Sequence, residues 1–75
     1  MAEDSPKSRK QVLPYLIAAL ADQDVDVKFE AIGALAGLGT AAKEAIPALR
    51  ALRFDQNENL RRAVAAALAK IQPDN

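Results

Sequence analysis

Apolar residues recur along this chain at helical spacing, not at the alternating spacing of strands. Leu13, Leu16, Ile17 and Leu20 share one face at about 100° per residue, which predicts a helix from about Gln11 to Ala21. Pro14 falls near the start of that span, where its missing N–H costs nothing. Val27, Ala31, Ala34, Leu35 and Leu38 form a second stripe and predict a helix from about Val25 to Leu38. Asp24 is placed to cap that helix, Asp26 complements its dipole, and Gly37 and Gly39 end it. A third helical stretch runs from Ala41 or Ala42 to Phe54, with Thr40 as its cap and Pro47 kinking or dividing it. The fourth spans Glu58 to Ile71, opens on Asn57 as cap, and is prevented from continuing by Pro73. Met1 to Lys10 is polar and shows no periodicity, so it reads as a flexible tail. Its basic residues Lys7, Arg9 and Lys10 read as solvated.

The predicted elements come in two matching sets. A shift of 33 residues brings Pro14 onto Pro47, Leu16 onto Leu49, and Asp22-Gln23 onto Asp55-Gln56 without a gap. The same shift brings Val27-Lys28 onto Leu60-Arg61 and Ala34-Leu35-Ala36 onto Ala67-Leu68-Ala69. A repeat of this length marks stacked helix pairs, in which each unit buries its apolar face on a neighbour. One departure stands out: Ile17 meets Arg50 and Leu20 meets Arg53. Leu52 and Phe54 are expected to supply the apolar area lost there.

Each unit carries Pro, then Asp eight residues on, then an aliphatic–basic pair, then Ala-Leu and a closing aliphatic residue. This pattern resembles the HEAT repeat, in its short phycobilisome-lyase-like form, over nearly all of residues 12–72. The stretch Gly39-Thr-Ala-Ala-Lys-Glu-Ala-Ile-Pro47 is similar to the segment between two such repeats. The resemblance implies an all-α fold, an α-solenoid of two HEAT-like helical hairpins with four helices. Repeat one would cover 11–39 and repeat two 40–73, after a tail at 1–10. It also implies an inter-repeat ladder through Asp22, Lys28, Asp55 and Arg61, in which a cation on each second helix reaches a carboxylate or carbonyl of a turn. In this family the second helices line a concave binding face.

Composition narrows the chemistry. The 75 residues contain neither cysteine nor histidine, which removes disulfides, thiolate metal sites and the commonest general base. No glycine-rich phosphate loop is present, and no catalytic residue, cofactor or small-molecule substrate is evident. Asp22, Asp24 and Asp26 have the spacing of a calcium loop's opening, but its sixth position is Val27 and its twelfth is Gly33, so no metal site is assigned. No segment reads as a signal peptide or a membrane span, and a cytoplasmic protein is expected. Net charge is zero, yet residues 12–39 carry Asp22, Asp24, Asp26 and Glu30 against Lys28, a net of −3. Residues 40–73 carry Lys43, Arg50, Arg53, Arg61, Arg62 and Lys70 against Glu44, Asp55 and Glu58, a net of +3. Aromatics do not interleave with these cations, which disfavours nucleic acid as a partner.

The helical count turns Phe29, Ile32, Gly33 and Ala36 away from the core stripe, with Arg62, Ala65, Ala66 and Ala69 at the equivalent positions of the fourth helix. Phe29, Ile32, Ala36, Arg62, Ala65 and Ala69 are therefore the expected partner-binding surface. The expected function is a non-enzymatic protein–protein interaction scaffold. A homo-oligomerising unit that stacks through its open ends is the first alternative; an accessory domain of a lyase-type enzyme or a weak nucleic-acid binder is the second.

Overall fold

A computed structural model describes residues 6–72, with side-chain surroundings from Val12 onward. Every regular element among them is helical. Three α-helices of 14 residues carry the fold: α1 (Pro6–Ala19), α2 (Val25–Leu38) and α4 (Glu58–Ile71). Between α2 and α4 the chain is broken helix. A 3-10 stretch, Gly39–Ala45, leads into the six-residue α3 (Ile46–Ala51), and a second 3-10 turn, Leu52–Phe54, follows.

The caps of α2 and α4 repeat each other. Asp24 (φ −79°, ψ 120°) and Asn57 (φ −79°, ψ 114°) both hold the extended backbone of an N-cap. The Asp24 carboxylate accepts from the N–H of Asp26 at 2.9 Å, and the Asn57 side-chain oxygen from that of Leu60 at 3.1 Å. Gly39 closes α2 at φ 60°, ψ −137°, a positive-φ conformation that glycine reaches because it has no Cβ, and donates its N–H to the Ala36 carbonyl.

The third helical stretch is divided just ahead of Pro47, as its sequence predicts. Proline at the start of α3 offers no N–H to the turn behind it, so the preceding segment tightens into 3-10 geometry, with Ala42 non-helical at φ −99°, ψ 23°. Thr40 does not cap this segment, since neither the 3-10 stretch nor α3 has a side-chain cap. Helix α1 covers Pro6–Ala19 and so already includes the residues ahead of Gln11. The Lys, Arg and Gln of this stretch are good helix formers even without apolar periodicity. Pro14 consequently lies inside α1. The rest of the expected tail, residues 1–5, and the stop at Pro73 lie outside the described residues.

The core is built where α2 packs along α4. Leu20, Ala31, Ile32 and Leu35 meet Ala42, Ala45, Leu49, Leu60, Val64, Ala67 and Ile71 in one cluster. Alanine at four of these positions lets the backbones approach closely, and each fully buried Leu or Ile contributes about 1.5–3 kcal/mol of transfer free energy. Two expectations change here. Ile32, expected on the binding face, is 2% exposed and belongs to the core, while Ala34, expected in the core stripe, is exposed. Helix α2 carries two apolar faces, and the one that packs on α4 is not the one the stripe Val27–Ala34–Leu38 marks. Phe54 does not replace the lost apolar area either: it is 85% exposed, and Leu52 alone packs against the core.

Candidate functional site

The junction between the first unit (α1, α2) and the second (α3, α4) is the reference for the open surfaces. Lys28 on α2 reaches across it, its Nζ 3.3 Å from Oδ2 of Asp55, with both side chains about four-fifths covered (19% and 21% exposed). The other oxygen of Asp55, Oδ1, accepts the N–H of Asn57 at 2.9 Å. That backbone hydrogen bond, helped by Lys28 and by the nearby Arg61 charge, holds the Asp55 carboxyl below its ordinary pKa against the opposing effect of burial. Arg61, the 33-residue counterpart of Lys28, donates through Nη1 to the carbonyls of Asp55 at 2.7 Å and Gln56 at 3.2 Å, within its own unit. Asp22, the counterpart of Asp55, accepts the N–H of Asp24 through Oδ1 at 2.7 Å. Its Oδ2 accepts nothing from the described residues. The structure therefore brings Lys28 and Asp55 together across the junction, and leaves Asp22 and Arg61 at opposite ends.

Those ends differ in chemistry. The face of the first unit away from the junction, here called the head, carries Val12, Leu16, Val27, Ala34 and Leu38. Their counterparts Ala45, Leu49, Leu60, Ala67 and Ile71 are the residues with which the second unit docks, and all are 0–1% exposed. On the head the same positions are less covered: Val12 is 42% exposed, Ala34 is exposed, and Leu16, Val27 and Leu38 are half-buried, with Leu16 and Leu38 packed in part against the core. Each of the five is apolar in both units. Asp22 belongs to this end, as Asp55 belongs to the matching face of the second unit.

The far face of the second unit, the tail, has changed character. It forms a recess of about 340 Å³ lined by Arg50, Arg53, Ala65, Leu68, Ala69 and Gln72. A shift of 33 residues turns the first four into Ile17, Leu20, Ile32 and Leu35. Of these, Ile17 and Leu20 line a cleft of about 200 Å³ against Ala48, Ala51 and Leu52, and Ile32 and Leu35 are buried. Two aliphatic side chains have thus become arginine on the tail, and the largest buried one has become alanine. This explains the departure at Arg50 and Arg53: both face outward at an end, so helix packing does not need them apolar.

The residues expected on a concave surface differ in exposure. Ile32 is in the core, Phe29 and Ala36 are half-buried against it, and only Arg62, Ala65 and Ala69 are exposed. Arg62 is held by Glu58 one turn earlier, Nη2 to Oε2 2.8 Å. No cluster of three or more potential metal ligands occurs among the described residues, and no helix there is long and apolar enough to cross a membrane. Sequence reasoning missed the head. Its signal was available in the 33-residue shift, taken position by position for the faces on either side of the junction.

A family model described as HEAT repeats matches residues 7–75 of the chain. No curated protein and no solved structure matches it significantly.

Proposed function

Since the chain belongs to the HEAT repeat family, whose helical repeats generally mediate protein interactions, we propose that it is a non-enzymatic protein-interaction module, a two-repeat α-solenoid that binds through its head. Repeat one covers 11–39 and repeat two 40–73 in this reading, which keeps the cytoplasmic setting expected from the sequence. The supporting observation is the contrast at five positions. Val12, Leu16, Val27, Ala34 and Leu38 stay open where their counterparts in repeat two are buried. Apolar side chains left partly uncovered where a matching unit buries them support an interaction site. The tail differs from it, since Arg50, Arg53 and Gln72 line its recess.

Head-to-tail stacking of identical copies is the weaker reading. The opposite charges of the two repeats favour it by an amount that salt screens within about 10 Å. Against it, Ala65 stands where the internal junction uses Ile32, and a difference of that size in a packed contact is worth ~2–5 kcal/mol. Covering Arg50 and Arg53 without partners adds a desolvation penalty. A nucleic-acid role is weaker still, because Arg61 and Arg62 are engaged by carbonyls and by Glu58.

The test is direct. Proteins that co-purify with the chain are identified, prepared separately and titrated by calorimetry against the wild-type chain and against Val27→Glu and Leu38→Glu. Loss of binding at unchanged helicity supports the head as the site. Undiminished binding to both variants would overturn it.

A further inference from the structure

We propose that two copies of this chain pair face to face through α1 and α3, each placing Phe54 in the other's cleft between those helices. The cleft lies between the two units, so its openness does not depend on what precedes or follows them. Its lining is apolar throughout: Leu20 is buried, Ile17, Ala48 and Leu52 are half-buried, and Ala21 and Ala51 are exposed. Alanine at three of these six positions leaves a volume of about 200 Å³. An apolar cavity of ~150 Å³ already takes a benzene ring.

The chain carries the matching side chain on the same face. Of its three aromatic residues, Phe29 packs on the core, whereas Tyr15 and Phe54 are 71% and 85% exposed. The exposure of Phe54 is not an effect of position in the stack. Its counterpart Ala21 is exposed too, although repeat two is stacked beyond it. Ala48, Ala51 and Phe54 follow at intervals of three, and the chain turns 3-10 over Leu52–Phe54, where side chains three apart eclipse. Phe54 therefore continues the row that walls the cleft. Tyr15 opens the matching row of α1, which goes on through Ala18 and Ala21. The two aromatics stand at opposite corners of one outer face, and each is the counterpart of an alanine: Tyr15 of Ala48, Phe54 of Ala21.

That pattern is self-complementary. A two-fold axis along the cleft, parallel to α1 and α3, lays Phe54 of each copy on the partner's Ala21 and Tyr15 on the partner's Ala48. Such an isologous contact closes at two chains. It also sets repeat one of each copy, with a net charge of −3 over residues 12–39, against repeat two of the other, with +3 over 40–73. Aromatic side chains bury ~150–250 Å² each. Two from each copy, with the walls they meet, reach ~1,000 Å², the lower range for a specific interface. Head and tail stay uncovered, so the pairing goes beyond the proposed interaction module and stands whether or not the head is its site.

The experiment is sedimentation equilibrium of the full chain from about 5 µM to about 1 mM, with helicity read on the same samples. A monomer–dimer equilibrium with Kd on the order of 10–100 µM is expected. Phe54→Ala installs the residue that repeat one has at that position, and should weaken the dimer by about a hundredfold or more at unchanged helicity, since each dimer loses two anchors. Tyr15→Ala should weaken it by about tenfold. Ala51→Glu puts a charge on the exposed cleft wall and abolishes pairing. A helical monomer at every concentration overturns the proposal, as does mass that grows past two chains or a dimer indifferent to Phe54→Ala. Should Phe54→Ala lose helicity, Ala51→Glu decides in its place, and a dimer indifferent to it is the overturning result.

Discussion

Ile32→Ala separates the core from the surface at the residue where the two were confused. Ile32 is 2% exposed and lies between α2 and α4. The substitution removes three buried carbons, worth about 0.8 kcal/mol each, so the transfer loss alone is about 2.4 kcal/mol. A residual cavity adds to this, and the measured range for such substitutions is ~2–5 kcal/mol. A domain of this size has only ~3–5 kcal/mol in its core. Ile32→Ala should therefore leave a large fraction of the chain unfolded at room temperature. The assay is urea denaturation followed by helicity. With m near 1 kcal/mol/M, the midpoint should fall by roughly 2–3 M. The exposed neighbour Ala34→Ser is the control and should stay within about 0.5 kcal/mol. A change below that size at Ile32 would refute the packing of α2 on α4 and return Ile32 to a binding face.

Further predictions bear on the caps and the junction. Gly39→Ala forces a side chain into φ 60°, ψ −137° at the end of α2 and should cost ~1–3 kcal/mol in a denaturation series, although space beside it is free. Asn57→Ala removes the acceptor for the Leu60 N–H and should lower stability by ~0.5–2 kcal/mol, seen as a shifted midpoint at constant m. Asp55 has its pKa lowered by the Asn57 N–H first and by Lys28 and Arg61 after it. Its stabilising contribution is therefore complete above the unfolded value near 4 and is lost as pH falls through the lower folded value. Thermal midpoints of the wild type should drop more steeply below about pH 4 than those of Asp55→Asn; parallel curves would sink that assignment.

The bounds of α2 and α4 were legible because both the caps and the periodicity point to the same residues. Asp24, Asn57 and Gly39 act through bonds spanning two or three residues, which local sequence contains. The division at Pro47 was legible for the same reason. The choice between the two apolar faces of α2 was not, because a helix packed between neighbours is apolar on both sides and periodicity cannot rank them. Which face is buried depends on α4, 33 residues away in sequence register. Helix inside a polar stretch was also hidden: residues 6–10 belong to α1 with no apolar periodicity to announce them. The Arg50 and Arg53 departure was visible, but its meaning required knowing that positions 17 and 20 line the cleft to the next unit.

The most direct measurement is a nitrogen–proton NMR map of the labelled wild-type chain as a separately prepared, co-purifying protein is added. The account predicts that shifts concentrate at Val12, Leu16, Asp22, Val27, Ala34 and Leu38, with Arg53 and Ala65 unmoved. Shifts centred on Phe29, Arg62 and Ala69, or on the wild-type tail, would contradict it.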